Sequence, residues 1–105
     1  MELSVLMKNT KTLDIYVGGD VEKGDMGGIH TRILIETALN PDYKKLTIDL
    51  SGAKYINSRI VDLICQCQKE TKADGKELEI KNAYGQPEDI LKLFDIRYRN
   101  ELPEF

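Results

Sequence analysis

The segment YKKLTIDLSGAKYINSRIVDLICQC changes its hydrophobic period half-way along. Leu46, Ile48 and Leu50 alternate with Thr47 and Asp49, as in a strand with one buried face. From Ser58 to Thr71 the apolar set becomes Ile60, Leu63, Ile64 and Cys67, with Thr71 on the same side, which is helical spacing. Asp74 and Gly75 end that helix, and KELEIKN returns to extended structure through Leu78 and Ile80. Two strands joined through a helix of this length need a crossover, so the sheet must be at least partly parallel.

The flanking segments extend the pattern. LSVLMK, from Leu3 to Lys8, and TLDIYVGG, with Leu13, Ile15 and Val17 on one face, predict an antiparallel hairpin through NT, ended by Gly18 and Gly19. DVEKGDMGGIH reads as a glycine-rich loop leading into the helix IHTRILIETALN, stopped by Asn40 and Pro41. In that helix Thr31, Leu34, Ile35, Ala38 and Leu39 form the main stripe; Ile29 and Ile33 lie off it, either as edge packing or as a wider apolar face for a partner. QPEDILKLFD predicts a last short helix with Pro87 in its first turn and Ile90, Leu91 and Phe94 facing inward. Ile96 and Tyr98 then suggest a short edge strand that Pro103 prevents from running far. The expected fold is α/β: a mixed, largely parallel sheet of four or five strands with helices mainly on one face, forming a single domain over residues 1–105.

Composition narrows the function classes. With 41% apolar residues, folding of 105 residues should bury roughly 65% of the unfolded chain's surface. Fifteen basic and eighteen acidic residues give a formal charge of -3 with no long block of either sign, which argues against direct nucleic-acid binding. Cys65 and Cys67 lie two apart on a helix and point in different directions, so they read as reduced packing thiols rather than a disulfide or a metal site. No apolar run approaches the roughly 20 residues that span a bilayer, and no secretory pattern opens the chain; a soluble cytoplasmic protein without direct membrane insertion is expected.

Catalytic chemistry finds little support. His30 is the sole histidine and has no identifiable partner in the sequence. Ser58 lacks a nucleophile-elbow pattern, and GGDVEKGDMGG matches neither the phosphate loop nor the dinucleotide fingerprint. Its aspartates do not have calcium-loop spacing, so neither a metal nor a cofactor is expected. Ser58 has a different attraction: at a helix start, it or Asn57 can cap exposed backbone donors, and a phosphate there would lie near the positive helix end beside Arg59.

LTIDLSGAKYINS resembles the central motif of STAS domains, the regulatory modules represented by bacterial anti-sigma factor antagonists. Asp49, Leu50, Ser51 and Gly52 match the family's turn, Tyr55 and Ile56 its approach to the motif, and Ser58 the first serine, which is the phosphorylated position. Gly19 and Asp20 resemble the family's glycine-acidic turn, and DGKELEIKNAYGQPEDILKLFDI its later strand and helix, so that about 90 residues are covered in order. Asn57 stands where the family carries an acidic residue, Arg59 where it carries Ser or Thr, and Ile60 where it carries Gly. A final helix found in many relatives is not evident.

The resemblance implies a non-enzymatic regulatory protein that docks onto a partner, such as an anti-sigma factor serine kinase, and is released by phosphorylation. It implies Ser58 as candidate phosphoacceptor and a docking surface of Asn57, Ser58, Arg59 and Asp62, with Asp20 and Asp25. Weak homodimerisation is compatible with such a module. An accessory subunit of a membrane lipid-transport or transporter complex is the alternative role.

Overall fold

A computed structural model describes residues 2–9, 11–20 and 26–101. Its elements are β1 (Glu2–Asn9), β2 (Thr12–Asp20), α1 (Met26–Leu39), β3 (Lys45–Tyr55), α2 (Arg59–Ala73), β4 (Glu77–Lys81) and α3 (Gln86–Leu93). The sheet runs in the order β1-β2-β3-β4: β1 is antiparallel to β2, while β2, β3 and β4 are mutually parallel. Three parallel strands and three helices thus agree with the mixed α/β expectation. A fifth strand does not form among the described residues; the tail contributes one parallel bridge, Arg99 to Lys81.

Register explains the two faces. Leu13 pairs with Leu46 and Leu46 with Leu78, and Ile15 pairs with Ile48 and Ile48 with Ile80, so apolar rows cross three strands. They share one core with Ile29 and Ile33 of α1, Ile60, Leu63, Ile64 and Cys67 of α2, and Leu91 of α3. The α2 stripe falls where its spacing places it, and Thr71 is buried with it.

The stripe expected on α1 does not face the core. Ile29 and Ile33 are buried, whereas Leu34, Ile35 and Leu39 are 45%, 49% and 70% exposed, and Thr31 and Ala38 are exposed too. Both sets have helical spacing, so periodicity alone cannot decide between them. The helix also starts earlier than expected, at Met26, taking Gly27 and Gly28 from the anticipated loop. Phe94 is a second reversal: it follows α3 at 46% exposure, while Leu91 is buried.

Gly18 and Gly19 do not stop β2, nor does the turn matched at Asp49, Leu50, Ser51 and Gly52 end β3. Both strands continue, β2 to Asp20 and β3 to Tyr55, with the register shifting between the Tyr16–Asp49 and Gly18–Gly52 pairs. The glycines are needed because the Tyr16 ring lies across them on the polar face. A Cβ at Gly18 would come 2.6 Å from the Tyr16 hydroxyl, and one at Gly52 would overlap it. Gly52→Ala should therefore cost about 2 kcal/mol by displacing Tyr16, as overpacking does. In a Tyr16→Ala background, chemical denaturation should show less than half that penalty; equal penalties in both backgrounds would mean that Tyr16 is not the obstacle.

The polar face carries charge in a buried setting. Lys81, 4% exposed, places Nζ 3.8 Å from Asp14 and 3.6 Å from Glu101, its stem crossing β3 to reach β2. Glu79 pairs with Lys45 and Arg99, each at 3.1 Å. Asn82, at a left-handed φ of 61°, ends β4, accepts the Glu101 N–H at 2.8 Å and donates its own backbone N–H to Arg99. Asparagine tolerates that backbone region better than most residues.

Candidate functional site

Ser58 stands at the head of α2, immediately before its first helical residue, and is exposed. Its side chain makes no capping bond. Asn57 caps the helix instead, its Oδ1 accepting the Arg59 N–H at 3.0 Å and its carbonyl the Ile60 N–H at 3.1 Å. The Ser58 carbonyl takes the next donor, Val61 N–H, at 3.2 Å. The first helical donors are thus satisfied without the serine hydroxyl, which remains available for chemistry from outside. Of the two capping alternatives, the structure selects Asn57.

The serine sits between two anchors. Ile56 and Ile60 are buried, and Gln86 at the start of α3 grips the Ile56 backbone from both sides, accepting its N–H at 2.9 Å and donating to its carbonyl at 2.7 Å. Gln86 was not legible as a site residue, because in QPEDILKLFD a glutamine before proline signals only a helix start. Its partner lies 30 residues away in the chain.

Beside this anchored position lie Asn57, Arg59 and Asp62 of the residues named from the sequence. Arg59 and Asp62 are exposed, and Asp62 lies one turn beyond Ser58 on the same helical face. Asp20 is the last residue of β2 and is in register with Tyr55 of β3, at the C-terminal end of the parallel strands. That end is where open α/β sheets place their binding sites. Tyr55 itself, 49% exposed, is an addition the sequence did not single out as a contact residue. Asp25 lies outside the described residues.

His30 is not assembled with Ser58. Its Nε2 lies 3.3 Å from the Glu70 carboxylate, tying α1 to α2. Glu70 is roughly 18 Å along the helix from Ser58 at 1.5 Å per residue. Cys65 is exposed and Cys67 buried, both as free thiols, and burial followed by the nearby Glu70 charge pushes the Cys67 thiol up to about 12. No group of three or more His, Cys, Asp and Glu side chains able to hold a metal ion occurs among the described residues. Among them, no helix is long and apolar enough to cross a membrane.

No protein-family model and no curated protein matches the sequence. Solved structures do match. The anti-sigma factor antagonist SpoIIAA in its unphosphorylated form superposes with a TM-score of 0.85 at 12% identity, covering 96% of this chain and 89% of that one. The chain has the STAS fold. The Bacillus cell fate determinant SpoIIAA in its phosphorylated form gives a TM-score of 0.76, again at 12% identity, over 96% of this chain and 92% of that one. At that identity the likeness is one of fold, with the architecture kept while most side chains differ.

Proposed function

We propose that this chain is a non-catalytic regulatory domain of the anti-sigma factor antagonist type, docking onto a protein partner through the surface around Ser58 and controlled by phosphorylation of that serine. The observation that carries the reading is the Ser58 hydroxyl itself: exposed, unused in capping, and held at a helix start by buried neighbours on either side. The fold shared with SpoIIAA, solved in both unphosphorylated and phosphorylated forms, supports the regulatory class.

A phosphate on Ser58 would act by display. The first donors of α2 are already bonded to Asn57 and to the Ser58 carbonyl, so the helix start offers the phosphate little capture. It would project beside Arg59 and on the face that carries Asp62, adding negative charge to an existing carboxylate. A partner packed on that face would meet like-charge repulsion and the cost of desolvating a dianion. Tyr55 supplies an exposed aromatic contact of the kind that anchors interfaces. The partner class this suits is an anti-sigma factor serine kinase.

Isolation with the native partner provides the test. Phosphatase should remove the mass of one phosphoryl group from the free chain, localised to Ser58. Ser58→Ala should keep docking, while Ser58→Asp weakens it by about tenfold or more, equivalent to roughly 1.4 kcal/mol. Equal partner affinity for both variants, with unmodified Ser58 in every isolate, would remove the phosphorylation control and leave docking to be judged separately by Tyr55→Ala.

A further inference from the structure

The outer face of α1, opposite the buried Ile29 and Ile33, is apolar and exposed. Leu34, Ile35 and Leu39 stand 45%, 49% and 70% exposed, and Thr31 and Ala38, exposed between them, add no charge. At about 3.6 residues per turn these five share one continuous face. Contiguous apolar patches of this kind mark contact sites. Gly27 and Gly28 open the same face, although glycine weakens a helix. A Cβ at either would meet nothing within 4 Å, so packing inside one chain does not call for glycine there. Arg32 and Glu36 border the face. Arg32 bonds Glu36 Oε1 through Nε alone, at 2.9 Å, which leaves its two terminal nitrogens and Glu36 Oε2 without a hydrogen-bond partner among the described residues.

We propose that α1 packs against α1 of a second copy of this chain, antiparallel about a two-fold axis at the level of Leu34 and Ile35. A two-fold contact uses one patch twice, so the patch must complement itself. In this arrangement Leu34 and Ile35 of the two copies meet at the centre, and Thr31 of each faces Ala38 of the other. Leu39 reaches over Gly28 of the other copy, where the missing Cβ leaves room. At the border, Arg32 of one copy stands level with Glu36 of the other, and the axis repeats the pair, so the uncommitted nitrogens of each guanidinium find a carboxylate oxygen. In a parallel pair the same two residues fall on opposite sides of the contact and cannot meet, so charge sets the direction of pairing. An anionic bilayer is a poorer match for this face, since Arg32 is the one lysine or arginine of α1 and the chain carries a formal charge of -3. One helix face is a small contact, which makes the dimer weak, with a dissociation constant of about 0.1 mM. The chain is then a monomer at the low micromolar concentrations used for unfolding.

Sedimentation equilibrium of the full chain between about 10 μM and about 1 mM should follow a monomer–dimer equilibrium. Amide NMR shifts on dilution should fall at Leu34, Ile35 and Leu39. Ile35→Asp places a carboxylate at the centre twice and should weaken association about tenfold or more. Leu39→Lys serves if that variant loses its helical circular dichroism. The decisive pair is Arg32→Glu and Glu36→Arg. Each variant sets like charges against one another in its own dimer, so each should associate poorly with itself. Mixed, the two should associate about tenfold more tightly than either does alone, because every border contact then joins opposite charges. Three results would overturn the proposal: a monomer across the whole range, a dimer unaffected by both Ile35→Asp and Leu39→Lys, or a mixture of the two charge variants no tighter than its components. None of these outcomes depends on Ser58.

Discussion

Lys81→Met should lower the unfolding free energy by about 3 kcal/mol, because it removes the cation from a buried ion pair and leaves the carboxylate behind. Lys81 is 4% exposed and Asp14 8% exposed; their charged atoms lie 3.8 Å apart on the polar face of the sheet, and Glu101 approaches the same ammonium at 3.6 Å. Methionine keeps most of the stem's length, so the loss tests charge rather than packing. Removing both charges is a different matter, since a buried pair is worth little more than its own desolvation costs. The double variant Asp14→Asn, Lys81→Met should therefore recover at least half of the single variant's loss. Urea unfolding of the three variants checks this. A double variant no better than Lys81→Met alone would mean that the two groups do not interact across β3.

Ile33→Ala should cost about 3 kcal/mol, within the range for truncating a large buried aliphatic side chain. Ile33 is 2% exposed and belongs to the central core. Leu39→Ala, on the same helix but 70% exposed, should change stability by less than about 0.5 kcal/mol, as surface substitutions do. The contrast decides which face of α1 the fold uses. Similar losses at the two positions would mean that the helix is rotated from the orientation described.

The α1 orientation also marks where reading the chain by itself stops. In α2 one helical stripe is apolar and the rest polar, so Ile60, Leu63, Ile64, Cys67 and Thr71 had one face to choose, and they took it. In α1 two stripes compete, Ile29 with Ile33 against Leu34, Ile35, Ala38 and Leu39. The larger stripe lost, because the position of a helix on a sheet depends on its connections and on neighbouring helices as well as on its own hydrophobicity. The His30–Glu70 contact and the packing of Ile33 beside α2 belong to that neighbourhood. The glycines misled for a related reason. Read locally, Gly18, Gly19 and Gly52 are strand breakers. In the sheet, Gly18 and Gly52 make room for Tyr16, a side chain on β2 whose relation to β3 exists only after parallel pairing.

The site divides along the same line. Asn57, Ser58, Arg59 and Asp62 were legible because they are consecutive or one turn apart, and a helix start is a local event. Which residue caps that helix was not, since Asn57 and Ser58 are both good caps; the backbone at Ser58, φ -64° and ψ -16°, is already helical, and Asn57 takes the bond. Gln86 was invisible in the sequence for a stronger reason, as its role is defined by a partner distant in the chain.

The sequence by itself determined the α/β alternation, the apolar rows of β2, β3 and β4, the buried face of α2 and the position of the exposed serine, all of which rest on contacts or periods within a few residues. Tertiary structure alone decided the face of α1, the role of the glycines, the Asp14–Lys81 pair and the Gln86 clamp. Each of these is a relation between distant segments, fixed by which strands lie side by side and in what register.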